Sequence, residues 1–222
     1  MEMLLAAIVD DDLALVTKLL SADPALAVRT IDVQRLYDAR IFHWIYVGDI
    51  ALHLAAAGYR VEIARALLAA DADPNSALNR RRSTPLHYAS DGYIAGPDYN
   101  AVQQVETLKL LIGAGADINA HDQNGATPLH RAVRTRCASV VKYLLSAGSN
   151  PLSRNRSGST PFHLAVQNTG RGGSGDEIAK TAQRQIIQTF LACNVSPNLR
   201  DGKCQTVLDC ARSDWIRDLV TG

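Results

Sequence analysis

Thr84-Pro85-Leu86-His87, Thr127-Pro128-Leu129-His130 and Thr160-Pro161-Phe162-His163 are three near-copies of one tetrapeptide in a chain of 222 residues. A weaker copy, Ile50-Ala51-Leu52-His53, precedes them, and an eroded one, Thr206-Val207-Leu208-Asp209, follows. Their starts lie 34 (50 to 84), 43 (84 to 127), 33 (127 to 160) and 46 (160 to 206) residues apart. That spacing is a base period of about 33 residues with insertions in two units.

Each tetrapeptide reads as a helix start. Thr can cap the unpaired N–H groups of a first turn, and Pro at the first helical position gives up a donor that has no partner there anyway. Leu then faces the core, and small residues follow, as in Leu54-Ala55-Ala56-Ala57 and Arg131-Ala132-Val133, so that neighbouring helices can approach closely. A second apolar helix is predicted in each unit, at Val61 to Leu68, Val105 to Ile112, Val140 to Leu145 and Ile186 to Leu191, where apolar residues recur at helical spacing. Loop signals end these helices: Asp71-Ala72-Asp73-Pro74-Asn75, Gly113-Ala114-Gly115-Ala116-Asp117, Ala147-Gly148-Ser149-Asn150-Pro151 and Asn194-Val195-Ser196-Pro197-Asn198. Gly48, Gly125 and Gly158 stand two residues before the helix-starting position, where a tight turn closes the connecting finger. Arg82 and Cys204 hold that place in the other two units, and those fingers are expected to be irregular.

The pattern resembles the ankyrin repeat family, whose TPLHxA signature has this period. The resemblance implies an all-α solenoid of stacked helix-turn-helix units, slightly curved, with inner helices lining a concave face and hairpin-like fingers projecting to one side. It implies one domain over 1–222: capping helices in 1–27, a long finger in 28–47, repeats at 48–81, 82–124, 125–157 and 158–203, and a C-terminal cap in 204–222 around Trp215 and Ile216.

Composition excludes several function classes. Apolar residues make up 47% of the chain, enough for a continuous core, and the formal charge of +1 gives no overall bias toward nucleic acid or an anionic membrane. MEMLLAAIVDDD lacks a basic leader and no run of about 18 apolar residues occurs, so a cytoplasmic protein that does not enter a membrane is the expectation. Cys137, Cys193, Cys204 and Cys210 form no CxxC pair, and reduced thiols are expected rather than a zinc site. Four of the six histidines are the repeat histidine, a full repeat apart, which suits a ring bonded to finger backbone and not a shared metal ion. Gly170-Arg171-Gly172-Gly173-Ser174-Gly175 lacks the lysine and threonine of a phosphate loop and reads as a plain surface loop. No cofactor is implied.

Three departures from the minimal repeat draw attention, because solenoid insertions lie on the surface and often belong to a binding face. Arg29 to Val47 is rich in Trp, Tyr and Arg, the residues enriched at binding hot spots, and Ile41 to Val47 alternates as in an extended hairpin. The competing reading is that its rings seal the edge between the cap and the first full unit. Asp91 to Val102 and Gln167 to Lys180 interrupt the two helices of their units and are expected at the end opposite the fingers, apart from the concave face. Arg80, Arg81, Arg82, Arg131, Arg134, Arg154 and Arg156 would form a basic stripe if fingers and inner helices align.

The function expected is therefore protein–protein interaction without catalysis, by a monomer, with an acidic segment of a protein as the natural complement of the stripe. The contact residues expected are Tyr37 and Trp44 on the long finger, Tyr88, Asp91, Arg131, Arg134, Leu164 and Gln167 on inner helices, and Arg81, Arg82, Gln123, Asn124, Asn155 and Arg156 on fingers. The alternatives are a nucleic-acid binder, disfavoured by the near-neutral charge, and an enzyme built on the inserted loops with His43 or Cys137 as its reactive group.

Overall fold

The computed structural model describes residues 1–37, 40–92, 94–96, 99–167 and 176–222. Its helices come in pairs: α1 (Glu2–Val9) with α2 (Leu13–Ala22), α3 (Ala51–Ala57) with α4 (Val61–Ala69), α5 (Pro85–Ser90) with α6 (Ala101–Gly113), α7 (Pro128–Arg134) with α8 (Ala138–Ser146), α9 (Pro161–Ala165) with α10 (Glu177–Ala192), and α11 (Val207–Cys210) with α12 (Asp214–Thr221). Odd-numbered helices pack on odd-numbered neighbours and even on even, so the pairs stack into an inner and an outer layer in chain order. Each pair leaves its apolar stripe to be buried by the next, the logic of a repeat stack. The core runs unbroken between the layers from Leu4 to Val220, filled mainly by Leu, Ile, Val and Ala, with Phe162 and Phe190 stacked at 5.0 Å where aromatic residues enter it.

The repeat histidines tie one unit to the next. Backbone N–H groups of Thr84, Thr127 and Thr160 donate to Nδ1 of His87, His130 and His163 at 3.1, 3.1 and 3.3 Å. With Nδ1 accepting, Nε2 carries the ring proton and donates to a carbonyl of the following finger: Ser83 from His53, Ala126 from His87 and Ser159 from His130, at 3.0, 3.0 and 3.1 Å. In the last unit the Asp209 carboxylate takes the accepting role, receiving the Thr206 N–H at 2.8 Å.

Four fingers share one turn. Oδ1 of Asn79, Asp122, Asn155 and Asp201, each five residues before the helix-starting Thr, accepts N–H groups two and four residues onward. The turn needs a left-handed residue two before the Thr. Gly125 and Gly158 supply it, and so do Arg82 at φ 51° and Cys204 at φ 61°. The expected irregularity of those two fingers is thus corrected: the Asx bonds hold the same turn around a non-glycine residue, at a backbone cost on the order of 1–2 kcal/mol.

Short three-residue strands interrupt the all-helical pattern. β1 (Arg35–Tyr37) and β2 (His43–Ile45) pair antiparallel with Leu36 opposite Trp44. The alternation seen in the sequence sorts this hairpin by face. Ile41, Ile45 and Tyr46 are buried, whereas Leu36, Phe42, Trp44 and Val47 are exposed. β2 packs on α3, so the hairpin lies back along the inner layer.

Candidate partner-binding site

Where the hairpin crosses the inner helices it meets α5 and the loop beyond it. The His43 ring sits 4.4 Å from the Tyr88 ring, and its Nε2 lies 3.5 Å from Asp91 Oδ2. Tyr88 is held from below, its hydroxyl donating at 2.7 Å to Asp49, a fully buried carboxylate that also accepts from Asn79 Nδ2 and the Tyr46 N–H at 2.7 Å each.

Arg131 is the centre of the charge network. Its Nη1 donates to Asp91 at 2.7 Å, and its Nη2 donates to Asp122 and to Ser83 Oγ at 2.8 Å each. Arg134 joins from the exposed end of α7 with a contact of 3.4 Å to Asp91. Burial alone would raise the Asp91 carboxyl, but the His43 contact and the charges of Arg131 and Arg134 outweigh it and hold it well below the usual carboxylate range. The guanidinium is thereby compensated on two sides, which a buried charge requires.

Of the residues expected to touch a partner, the structure leaves Trp44, Arg82, Gln123, Asn124, Arg134, Arg156 and Gln167 exposed and Tyr37, Arg81, Asp91, Asn155 and Leu164 half-buried. It buries Tyr88 and Arg131, at 1% and 3% exposure. Those two are corrected from contact residues to supports: the hairpin covers Tyr88, and Asp91 with Asp122 has already claimed the charge of Arg131. The basic stripe is correspondingly thinner. Arg80 and Arg81 both lie over the Tyr46 ring at 5.2 Å, and Arg154 donates to the Gly158 carbonyl at 2.6 Å.

The finger tips form a laterally bonded row. The Gln123 N–H donates to the Arg81 carbonyl at 2.7 Å, and the Arg156 N–H donates to the Asn124 carbonyl at 2.9 Å. Backbone groups are consumed in spacing the tips, and the side chains of Gln123, Asn124 and Arg156 remain on the surface.

The insertion after α5 lies against the turn between α3 and α4, at the end opposite the fingers, and the hairpin reaches it there, so it is not apart from the inner-face site. Tyr59 donates to the Asp91 carbonyl at 2.6 Å and packs edge-on against Tyr99 at 6.4 Å, and the hairpin tip at Ile41 and Phe42 shares a pocket with Gly96, Tyr99 and Asn100. Two insertions far apart in sequence thus meet over Ala57 and Tyr59. Sequence reasoning named Phe42 and Tyr46 among the long finger's aromatic residues without choosing them as contacts, and missed Tyr59 as a wall residue of this region. The alternation of Ile41 to Val47 signalled which finger residues face out, but nothing local pointed to Tyr59. Residues 168–175, with the glycine-rich run read as a plain loop, lie outside the described residues, as do Tyr93, Pro97 and Asp98 of the other insertion.

Cys137, one of the reactive groups considered for an enzyme, is fully buried beside Gln104 and Thr135, and burial pushes its thiol up, away from the thiolate a nucleophile needs. Among the described residues no group of three or more His, Cys, Asp or Glu is placed to hold a metal ion, and no helix is long and apolar enough to cross a membrane.

A family model described as "Ankyrin repeats (3 copies)" matches residues 99–201, and one described as "Ankyrin repeat" matches residues 47–79. No curated protein matches the chain.

Proposed function

Since the chain belongs to the ankyrin repeat family, whose repeats are generally non-catalytic protein-interaction modules, we propose that it binds a protein partner along the finger row and the open part of the inner face. The contacting residues in this reading are Arg82, Gln123, Asn124, Asn155 and Arg156 on fingers, Arg134, Leu164 and Gln167 on the inner side, and Tyr37, Trp44 and Arg81 about the hairpin. Tyr88, Asp91 and Arg131 hold that surface in place from beneath. Residues 1–222 act as one binding unit, a monomer in the cytoplasm, and the partner presents an acidic segment.

The observation that carries this reading is the bonded row of tips. Backbone hydrogen bonds between Arg81 and Gln123, and between Asn124 and Arg156, fix the spacing of side chains that stay exposed. A surface ordered before binding loses little conformational entropy on association, which suits an interaction scaffold.

The test is to immobilise the chain, capture proteins from its native lysate, identify them by mass spectrometry, and titrate a purified captured partner against a variant carrying Arg82→Glu, Arg134→Glu and Arg156→Glu. The expected loss is at least about tenfold in Kd, or about 1.4 kcal/mol, steeper at low salt. Equal affinity for the variant and the natural chain rejects the finger row as the binding surface.

A further inference from the structure

Two adjoining pockets lie beneath the hairpin and share Ile41, Phe42, Ala57 and Tyr59 as walls. The one nearer the hairpin tip, about 320 Å³, contains Arg40 and Arg60, whose charges are met by Asp10 at 3.1 Å and Asp11 at 3.5 Å. Its neighbour, about 260 Å³, is different: Arg81, Arg131 and Arg134 line it against a single carboxylate, Asp91.

Within this second pocket the cations are unequally committed. Arg131 is 3% exposed and both of its Nη atoms are bonded, but its buried Nε has no hydrogen-bond partner. A buried donor left unpaired costs about 1–3 kcal/mol, and the residue that carries it is one of three arginines lining a pocket with a single carboxylate. Arg81 has one Nη donating to the Tyr46 hydroxyl at 2.7 Å. Arg134 is about half exposed and reaches Asp91 only at 3.4 Å. Phe42 and Trp44, both lining the pocket and both more than 40% exposed, make its apolar rim.

We propose that this pocket receives the side-chain carboxylate of an Asp or Glu in an extended partner segment, with Arg134 and Arg81 contacting it and an adjacent apolar side chain resting on Phe42 and Trp44. The proposal rests on the reading of the chain as an interaction module and names the chemistry of what that module takes. A planar carboxylate suits the guanidinium fork. Asp91 repels any anion that enters, so the attraction must come from the two less committed guanidiniums, Arg81 and Arg134, whose planar forks favour a planar carboxylate by geometry. Arg131, neutralised by Asp91 and Asp122, supplies rigidity and a residual field rather than a direct ion pair.

The experiment selects a phage library of random linear peptides, about twelve residues long as an extended segment requires, against the immobilised full chain, and measures the enriched peptides by fluorescence anisotropy. Enriched peptides are expected to share an Asp or Glu beside an apolar residue, and changing that residue to Asn or Gln is expected to weaken binding at least about tenfold. Arg134→Gln, at an exposed helix end, is expected to weaken the parent peptide by a similar factor while leaving the Asn or Gln peptide unaffected, the coupling that a direct pair gives in a double-mutant cycle. Lys142→Gln, exposed on the outer helix α8, is expected to change neither. Additive losses at Arg134, a phosphoserine peptide that outbinds the glutamate one, or enrichment of peptides without an acidic residue overturns the proposal. An empty selection overturns it too, while a protein captured from lysate by the finger row would leave the broader interaction reading standing.

Discussion

At the scale of single residues, the fingers show how one backbone requirement is met by unlike side chains. Gly158 and Arg82 occupy equivalent turn positions, both with positive φ, yet their surroundings differ. A Cβ on Gly158 would sit 2.5 Å from the Gly202 backbone, closer than real contacts allow, because neighbouring tips approach there nearly backbone to backbone. Arg82 is exposed and pays only the left-handed conformation. Opposite responses are therefore expected in urea unfolding. Gly158→Ala combines a left-handed penalty with a clash that must spread two fingers and is expected to destabilise by about 2–4 kcal/mol. Arg82→Gly relieves the same penalty without opening a contact and is expected to stabilise by up to about 1 kcal/mol, the gain reduced by the greater freedom of glycine in the unfolded chain. Equal shifts of both midpoints in one direction would mean that the tips do not touch as described.

At the scale of elements, the inserted units replace a turn with a side chain. In the uninserted units a left-handed residue, Tyr59 or Arg136, turns the chain from inner to outer helix, and the next N–H bonds back to the inner helix, Arg60 to Ala55 and Cys137 to Ala132. In the units with insertions after α5 and α9 the equivalent inner-helix carbonyls, Ala89 and Ala165, each meet a glutamine side chain. Gln104 from α6 then donates to the Ala89 and Asp91 carbonyls at 2.9 and 3.1 Å, and Gln183 from α10 donates to the Ala165 and Gln167 carbonyls at 2.8 and 3.2 Å. The two glutamines are equivalent clasps, each buried. Gln104→Ala is expected to cost about 2–4 kcal/mol, since it takes the glutamine donor from the buried Ala89 carbonyl, leaves the Asp91 carbonyl only the Tyr59 hydroxyl and opens a cavity, and to weaken hydrogen-exchange protection in α5 and α6 before the rest of the stack. A uniform loss of protection would show that the clasp is not local. None of this was legible in advance, although the helices themselves were. The Thr-Pro-Leu-His copies fix where inner helices start because capping and proline chemistry are local. The clasps, like the return of the hairpin over Tyr88, join residues 13 to 48 positions apart, and no periodic pattern encodes which insertion folds back on which helix. The same gap explains the candidate site. Exposed finger residues such as Asn124 and Arg156 follow from their place in the turn, whereas Tyr88 and Arg131 sit on the inner face as the repeat requires and are then covered by partners from elsewhere in the chain.

At the scale of the whole molecule, the histidines couple stacking to proton uptake. Each repeat ring must be neutral to accept the N–H of the helix-starting residue at Nδ1 while donating from Nε2 to the next finger, so the four interfaces from the α3/α4 unit to the C-terminal pair each close on an uncharged imidazole. Burial, reinforced at His87 by the nearby charge of Arg131, lowers its pKa to about 4, and burial lowers that of His130 to about 4 as well. Burial also pushes His53 and His163 down. In the unfolded chain these rings titrate near 6.5, so between about pH 6.5 and 4 the unfolded state holds more protons than the folded one. Stability is therefore complete above pH 6.5 and falls as the pH drops toward 4, by on the order of 3 kcal/mol for each of the two strongly shifted rings. Asp91, depressed by His43, Arg131 and Arg134, adds a further loss only below about pH 4, where an unfolded carboxyl takes up its proton. The urea midpoint is expected to decline steadily from pH 7 to pH 5, well before any carboxylate contributes. His130→Gln is expected to lower stability at pH 7 but to flatten that slope, because one of the titrating interfaces is gone. A midpoint that stays level between pH 7 and pH 5 in the natural chain would mean that the rings are not held neutral between units, and the account of how one repeat is fastened to the next would fail with it.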